Sequence, residues 1–421
     1  MFIYVIKPND NLVKISKIYS TTINEICNTN GIKENEGLVV GQALLINKEK
    51  IIHTVKSNET IHTIASNYGL SIDQLLKDNP ILKPPFNLQI GQTLVINSPI
   101  KKTSMYINGF CYPFSSKEDY TLKEQNYSLI TLFSYSLKID GSLNKINEQP
   151  FSNNIKNKNV KKFFSVSNTK ENGGFSTQNA SIVLKDPKLR TNLCNNILEK
   201  LNNSIFDGVN IDFEYIKKEN ADDLVALVKE LKEKIQNKYL LSICLAPKTR
   251  IDQKGTLYEG HKYKELGEQV NFVILMTYEW GYTFGPAMPV APLKNIKEVL
   301  IFAVTQIPNS KILMGIPTYG YDFTNPYKKG QAAQAFPIDQ GVARARKVKS
   351  SILFNNESKT PYFIYYKDQK EHEVHFEDVR SFYYKVELAK EYNLAGISLW
   401  VLSNPFIQMW NTFNEMIDLK K

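Results

Sequence analysis

Apolar runs alternate with amphipathic stretches along the C-terminal three quarters of the chain. Segment 220–235 is typical of those stretches, because its apolar residues recur three and four positions apart, as on one face of a helix. Eight apolar runs with helical segments between most of them, over about 320 residues, predict an α/β fold in which parallel strands close into a (β/α)8 barrel, a TIM barrel. The predicted strands are residues 105–112, 127–137, 161–168, 206–215, 239–247, 270–280, 311–323 and 394–402.

An open, doubly wound sheet is the alternative arrangement for such a pattern. That fold often carries a GxGxxG loop after its first strand, and no such sequence opens the first βα unit here, which favours the barrel. The interval between strands seven and eight, residues 324–393, is too long for one crossover helix. Because it contains two β-like stretches, 362–367 and 373–376, we predict a small insertion there.

The first hundred residues contain an internal repeat with a period of about 50 residues. Residues 4–12 align with 53–61, and the closing segment 41–47 aligns with 91–97. Each copy predicts the order strand, helix, helix, strand (βααβ). The predicted domains are residues 1–48, residues 51–98 and, after a short polar linker over 98–103, the barrel over residues 104–421.

The two copies resemble LysM modules in their opening strand and turn, in a central asparagine (Asn30 and Asn79) and in a closing GQxLxI strand. The resemblance implies binding to β-1,4-linked chains that contain N-acetylglucosamine, in peptidoglycan or chitin. The second copy departs from the first in its late loop, residues 79–86, which has extra prolines and borders the sugar groove of that family. We expect two weak modules to act together through a raised effective concentration, and to supply localisation rather than chemistry.

Composition and charge exclude several classes of partner and site. No run approaches the roughly 20 apolar residues of a membrane helix, and residues 1–8 lack the regions of a standard secretory signal, so we expect neither membrane insertion nor a signal peptide. The net charge of +10 is spread thinly over many lysines, which argues against a nucleic-acid partner.

The cysteines and histidines give no sign of a reactive or metal site. Cys111 and Cys244 lie in apolar runs, which predicts that their thiols are buried. His372 and His375 lack a third ligand at a recognisable spacing, so we expect no metal site and no cofactor.

Segment 206–215, FDGVNIDFEY, carries the candidate chemistry. Because side chains alternate along a strand, Asn210, Asp212 and Glu214 project to one face and their apolar neighbours to the other. In a barrel the polar face looks into the lumen, and Glu214 lies at the C-terminal mouth, where barrel enzymes hold their sites. Burial and like charge both raise the pKa of a carboxyl group, as a general acid requires.

The pattern D-G-x-[DN]-x-D-x-E in this segment resembles the signature of family 18 glycoside hydrolases, and segments 276–280 and 396–400 look like the strand 6 and strand 8 motifs of that family. The resemblance implies hydrolysis with retention and without a carboxylate nucleophile. Glu214 would protonate the glycosidic oxygen, and the 2-acetamido oxygen of the substrate would attack C1. Asp212 would orient the acetamido N–H, and Tyr278 would donate a hydrogen bond to its carbonyl oxygen. Substrate binding is expected of Asn210, Glu279, Trp280, Tyr319 and Trp400.

Two positions depart from the chitinase pattern: Asn210 and Glu279 each replace an aspartate. Together with segments 172–176, 278–282 and 375–381 they resemble the branch that carries N-terminal LysM modules, the cortex-fragment lytic enzymes of endospore-forming bacteria. The resemblance implies an N-acetylglucosaminidase that acts on spore cortex peptidoglycan during germination, in the coat and cortex region of the spore. We expect a monomer. A chitinase acting on chitin oligosaccharides and a non-catalytic cell-wall lectin stay open as alternatives, although the presence of both carboxylates argues against the lectin.

Overall fold

The computed structural model describes residues 1–97, 100–115, 126–170, 173–402 and 406–421. Ser98 and Pro99 of the predicted linker and Asn172 of segment 172–176 lie outside the described residues. Within the described ranges, none of the helices combines the length and the apolar character that crossing a membrane would need.

The first 97 residues form two βααβ copies, as the repeat predicts. In each copy two antiparallel strands pair, and the central asparagine ties the second helix to the closing strand. The amide of Asn30 exchanges hydrogen bonds of 2.8 and 2.7 Å with the backbone of Leu45, and Asn79 exchanges bonds of 2.7 and 2.8 Å with Val95. The elements are β1 (Phe2–Val5), α1 (Leu12–Ile18), α2 (Ile23–Asn30), β2 (Ala43–Ile46), β3 (Lys50–Thr54), α3 (Ile61–Tyr68), α4 (Ile72–Asp78) and β4 (Thr93–Asn97).

Seven parallel strands follow, each paired with the next. The register sets Ser167 beside Asp212, so the polar ends of neighbouring strands meet at one rim. The elements are β5 (Thr103–Cys111), β6 (Leu129–Ser136), α5 (Gln149–Asn154), β7 (Lys161–Ser167), α6 (Thr177–Lys185), α7 (Pro187–Asn202), β8 (Gly208–Asp212), α8 (Ala221–Ile235), β9 (Leu240–Leu245), α9 (Tyr263–Gln269), β10 (Phe272–Leu275), α10 (Leu293–Gln306) and β11 (Ile312–Pro317), with short 3-10 turns at Lys218–Asn220 and Asn309–Lys311.

The predicted insertion is a five-stranded antiparallel sheet. It begins earlier than residue 324, because the run predicted as one strand over 311–323 divides at Thr318. Its first half stays in the barrel, and its second half leaves as the first strand of the insertion. The elements are β12 (Tyr319–Asn325), β13 (Gln334–Pro337), a 3-10 turn at Ile338–Gln340, α11 (Gly341–Lys347), β14 (Leu353–Asn355), β15 (Thr360–Lys367) and β16 (Lys370–His375).

The chain then returns to close the barrel. Helix α12 (Val379–Glu391) leads to β17 (Gly396–Trp400), which pairs in parallel with both β11 and β5. After α13 (Ile407–Met416), a short strand β18 (Ile417–Leu419) pairs with the start of β5. The predicted TIM barrel is therefore confirmed, with its insertion between strands seven and eight and two βααβ units before it.

Alternation along β8 separates the core from the site. Val209 and Ile211 belong to the large apolar core shared with the helices, as the pattern predicts for a strand between two layers. A second apolar cluster inside the barrel includes Phe110, Phe163 and Met276. Apolar side chains thus fill much of the lumen, and buried polar side chains, Asn210 among them, share it.

Candidate active site

A cavity of about 1080 Å³ opens where the barrel strands end. Residues at or just beyond the carboxyl end of every barrel strand line it, which is the face where barrel enzymes hold their sites. Its volume exceeds that of a pocket for a small ligand and suits an extended substrate. Many of the residues that line it are aromatic: Phe110, Tyr112, Phe114, Phe133, Phe175, Tyr215, Tyr258, Tyr278, Trp280, Tyr282, Tyr319, Tyr321 and Trp400.

Asp212 and Glu214 both line this cavity, as predicted from their spacing. Asp212 ends β8 and is buried, and burial raises its pKa, although a hydrogen bond with the Cys244 thiol opposes that rise. Burial raises the pKa of Glu214 well above its usual range, and the negative charges of Asp212 and Glu279 raise it further. Glu214 therefore holds a proton at a pH where an exposed carboxyl group has lost it, which suits a general acid.

Two side chains that sequence reasoning missed hold the backbone of residues 213 and 214. The buried amide of Asn168, just beyond β7, accepts from the Glu214 N–H at 2.9 Å and donates to the Glu214 carbonyl at 2.9 Å. From the other side, His261 contacts the Phe213 carbonyl at 2.9 Å through Nε2. Its Nδ1 accepts from the Ala246 N–H at 2.9 Å, which places the imidazole proton on Nε2, and burial lowers the His261 pKa to about 4. Asn168 ends a predicted strand and could have been suspected; nothing in the sequence singled out His261.

Asn210 lies beneath the cavity and is fully buried. Its Oδ1 accepts from the Ser165 hydroxyl at 3.1 Å, and its Nδ2 donates to the Ser242 hydroxyl at 2.9 Å. The Cys244 thiol also donates to Asn210 Oδ1, at 3.5 Å. Because these partners satisfy the amide and Asn210 does not line the cavity, the predicted substrate contact finds no support in this geometry. Cys111 and Cys244 are buried thiols, which confirms that prediction.

Tyr278 lies on the cavity wall just beyond β10. Burial raises its pKa well above the usual range, with further contributions from Cys244, Asp212 and Glu214, so the phenol keeps its proton. Gly315 gives the ring its room, since a Cβ there would lie 2.8 Å from Tyr278 Cε1. Tyr278 can therefore donate a hydrogen bond into the cavity.

Glu279 also lines the cavity, but its carboxylate is engaged by tyrosines. It accepts a short hydrogen bond from the Tyr319 hydroxyl and one of 3.1 Å from Tyr321. Burial raises the pKa of Glu279, and the two tyrosine hydrogen bonds oppose that rise. Glu279 and Tyr319, both predicted to bind substrate, are thus brought together on one wall, at the junction of barrel and insertion.

Trp280 and Trp400 complete the predicted set, and both line the cavity. Trp400 stands edge-on to Phe110 at 5.2 Å and to Phe133 at 4.9 Å between ring centroids, so neighbouring rings hold its indole in place. A partly exposed, fixed aromatic ring is a suitable surface for stacking of a sugar face.

The two histidines of the HxxH segment pair with different carboxylates. His372 Nδ1 lies 2.8 Å from Asp322, and His375 Nε2 lies 2.7 Å from Glu373. Across the part of the chain that the structure describes, no three His, Cys, Asp or Glu side chains gather as a metal site would require. Both histidines therefore serve contacts within the insertion sheet.

Comparison with known families agrees with this architecture. Residues 100–404 match Glycosyl hydrolases family 18, and residues 4–47 and 53–97 each match the LysM domain. The chain belongs to family 18 of the glycosyl hydrolases. It is accordingly a glycoside hydrolase with two LysM domains before its barrel, and the lectin alternative is set aside.

Relatives that match over nearly their full length are found in Bacillus. The cortical fragment-lytic enzyme of Bacillus subtilis (strain 168) is 33% identical over 430 residues, covering 100% of this chain and 99% of that protein. The crystal structure of the Bacillus cereus spore cortex-lytic enzyme SleL matches with a TM-score of 0.87 at 31% identity, over 100% of this chain and 98% of that one. SleL of Bacillus megaterium QM B1551 matches with a TM-score of 0.85, also at 31% identity and the same coverage.

Proposed function

We propose that this chain hydrolyses N-acetylglucosaminyl bonds in cortex peptidoglycan fragments during spore germination, with retention at C1 and with the acetamido group of the substrate as nucleophile. The observation that carries the proposal is the pair Asp212 and Glu214 in an aromatic cavity. It is supported by relatives of matching length that are named for lysis of cortical fragments. Cortex peptidoglycan is then the partner of the LysM domains, and the coat and cortex region of the spore is the place of action.

Glu214 is the proton donor in this scheme. It gives its proton to the glycosidic oxygen as the bond from C1 to that oxygen breaks, and its raised pKa keeps the proton available. The acetamido oxygen attacks C1 from the opposite face and forms an oxazolinium ion. Water then attacks C1 and transfers a proton to the Glu214 carboxylate, which reopens the ring and restores the enzyme. Two inversions give overall retention.

Asp212 has one buried oxygen, Oδ1, that accepts no hydrogen bond from the described residues. Buried acceptors are normally paired, and an unpaired one is costly, so this oxygen favours a substrate group that brings a donor. The acetamido N–H is such a donor, and the phenol of Tyr278 supplies the complementary donor for the acetamido carbonyl. Glu279, already held by Tyr319 and Tyr321, is poorly placed to act instead as an enzyme nucleophile.

Digestion of purified cortex fragments, with muropeptides identified by mass, tests the proposal. Glu214→Gln should lower kcat by about 10²- to 10⁴-fold, because the general acid is lost. The matched control is Glu357→Gln, the same chemical change at an exposed ion pair with Lys294, and it should keep wild-type turnover. Activity of Glu214→Gln near the wild-type value would show that another group donates the proton.

The nucleophile is tested with substrate pairs of matched length. Fragments whose glucosamine has lost its acetyl group should bind but not react, and a cyclic thiazoline analogue should inhibit strongly, because it resembles the charged intermediate. Equal kcat/KM for acetylated and de-acetylated fragments, or a sugar trapped on an enzyme carboxylate, would rule out substrate assistance. Faster turnover of chitin oligosaccharides than of cortex fragments would favour the chitinase alternative.

A further inference from the structure

The two LysM copies are alike in sequence pattern but differ in what surrounds them. Alternate residues of β2 serve two different cores: Leu44 and Ile46 pack inside the LysM pair, whereas Ala43 and Leu45 belong to the core of the barrel. The outward positions of copy 1 are therefore apolar and buried, whereas three of the four aligned positions of copy 2 are polar and exposed. The buried residues are Met1, Val39, Ala43 and Leu45, and their counterparts are Lys50, Gln89, Thr93 and Val95.

Directional contacts fix copy 1 in the same place. From α13, Gln408 Nε2 donates to Asn30 Oδ1 at 2.7 Å and to the Ala43 carbonyl at 2.9 Å. Arg380 Nη2 donates to Asp378 Oδ2 at 2.7 Å and to the Gly41 carbonyl oxygen at 3.1 Å. Asp378 and Arg380 belong to segment 375–381, one of the segments that carry the family resemblance. Through these contacts the segment holds copy 1 against the barrel.

The late loop shows the contrast most clearly. In copy 1, Gly41 has φ of +84°, and a Cβ there would lie 1.8 Å from the Ile352 carbonyl oxygen, so the loop is pressed against the insertion. In copy 2, Gly91 has φ of +87°, and a Cβ there would meet nothing within 4 Å. The backbone turn is thus the same in both loops, residues 30–42 of copy 1 and residues 79–92 of copy 2. Protein covers the end of the copy 1 loop, where Val39, Gly41 and Gln42 are buried, whereas the end of the copy 2 loop stays open.

Most residues of the copy 2 loop are exposed. It presents Ile81, 83% exposed, and Ile90, 74% exposed, and Lys83 is its single charged residue. Exposed apolar side chains among uncharged polar ones suit the apolar faces and hydroxyl edges of sugar rings better than they suit a charged partner. The substrate of the same chain is such a glycan.

We infer that the two copies have divided their roles. Copy 1 is a fixed part of the catalytic unit, and retention on a glycan containing N-acetylglucosamine belongs to the copy 2 loop. This inference rests on the carbohydrate binding proposed above for the LysM domains. It replaces the expectation of two weak modules acting together with one structural copy and one binding copy.

Pelleting with insoluble peptidoglycan tests whether the copy 2 loop binds the glycan. The assay uses the full-length Glu214→Gln variant as parent, so that the glycan is not hydrolysed. Adding Ile81→Asp and Ile90→Asp should weaken retention by roughly tenfold or more, because charged groups replace the apolar contacts. The control is Val40→Asp, at the aligned copy 1 position, 38% exposed, which should pellet as the parent does. The milder pair Ile81→Ser and Ile90→Ser should give a smaller loss in the same direction. Full retention by the copy 2 variants, or equal loss in Val40→Asp, would overturn the inference.

Thermal unfolding tests the structural half with aligned substitutions in the full chain. Leu45→Ala removes a side chain from the barrel core and should lower the Tm of the barrel by several degrees, whereas Val95→Ala should leave it nearly unchanged. Equal shifts would refute the fixed role of copy 1. Turnover of soluble fragments by wild-type enzyme is a separate measurement, so failure of the proposed hydrolysis is distinguishable from failure of this division of roles.

Discussion

Replacement of Asn168 by alanine should slow catalysis although Asn168 is not expected to touch the reacting bond. Its amide makes both backbone hydrogen bonds to Glu214, each at 2.9 Å, and it is fully buried. A net value of about 0.5 to 1.5 kcal/mol for each bond gives a loss of about 1 to 3 kcal/mol in the free energy of unfolding. For a barrel of this size that corresponds to a fall in Tm of roughly 2 to 6 °C.

The effect on kcat should be larger than stability alone explains. A proton donor whose backbone is free to shift misses the glycosidic oxygen, and misplacement by about 1 Å can lower a rate by about 100-fold. We expect kcat to fall roughly 10- to 100-fold with little change in KM, because the aromatic walls that bind the sugar are untouched. Steady-state kinetics on soluble cortex fragments measures both constants.

Asn309→Ala is the matched control. Asn309 donates to the Tyr392 carbonyl at 2.7 Å just before β11, at the end of the barrel away from the cavity. It should lower the Tm without lowering kcat. Asn168→Asp adds a third readout: its negative charge should raise the pKa of Glu214 and move the basic limb of the kcat/KM profile to higher pH. If Asn168→Ala and Asn309→Ala lower the Tm equally and leave kcat alike, the positioning role is refuted.

Two further substitutions probe the floor and wall of the cavity. Asn210→Asp places a second carboxylate beside Asp212, and like charge raises the pKa of Asp212. The acid limb of the kcat/KM profile should therefore move to higher pH, while peak activity falls only moderately. An unmoved acid limb would show that the two positions are not coupled. Trp400→Ala should lower kcat/KM by about 2- to 13-fold, the equivalent of about 0.5 to 1.5 kcal/mol for an aromatic contact. Trp400→Phe should keep most of the wild-type kcat/KM. Equal kcat/KM for wild type and both variants would show that the indole does not contact substrate.

The sequence predicted those parts of the fold that local periodicity determines. All eight barrel strands lie within or nearly within their predicted runs, and the two-residue alternation of 206–215 correctly placed Asp212 and Glu214 inside the barrel. The division of 311–323 was not predicted, because apolar and aromatic residues continue from β11 into the first half of β12. Pro317, at the end of β11, is a local signal of the break. Strand ends that change sheets depend on pairing partners distant in sequence.

The site was predictable where a residue reacts and hidden where a residue holds another in place. Glu214 and Tyr278 lie in recognisable motifs, whereas His261 comes from a loop and acts through the Phe213 carbonyl. Likewise, the repeat showed two LysM copies but not their different surroundings. The sequence does differ at these positions, since Met1 and Ala43 are apolar where copy 2 has Lys50 and Thr93. A partner surface must nevertheless be known before such a difference can be interpreted.

The groups beneath Glu214 suggest how substrate binding and catalysis are linked. Asn210 is neutral, and the Cys244 thiol keeps its proton because burial raises its pKa well above the usual range. Of these three buried groups, only Asp212 can therefore carry a negative charge. A buried carboxylate with an oxygen that has no donor among the described residues is unfavourable in the free enzyme. In the proposed mechanism an acetamido N–H would satisfy that oxygen when substrate binds, and the interaction would strengthen further as positive charge develops on the oxazolinium ring. Because the gain would be greatest in the transition state, this arrangement would raise kcat rather than only tighten binding.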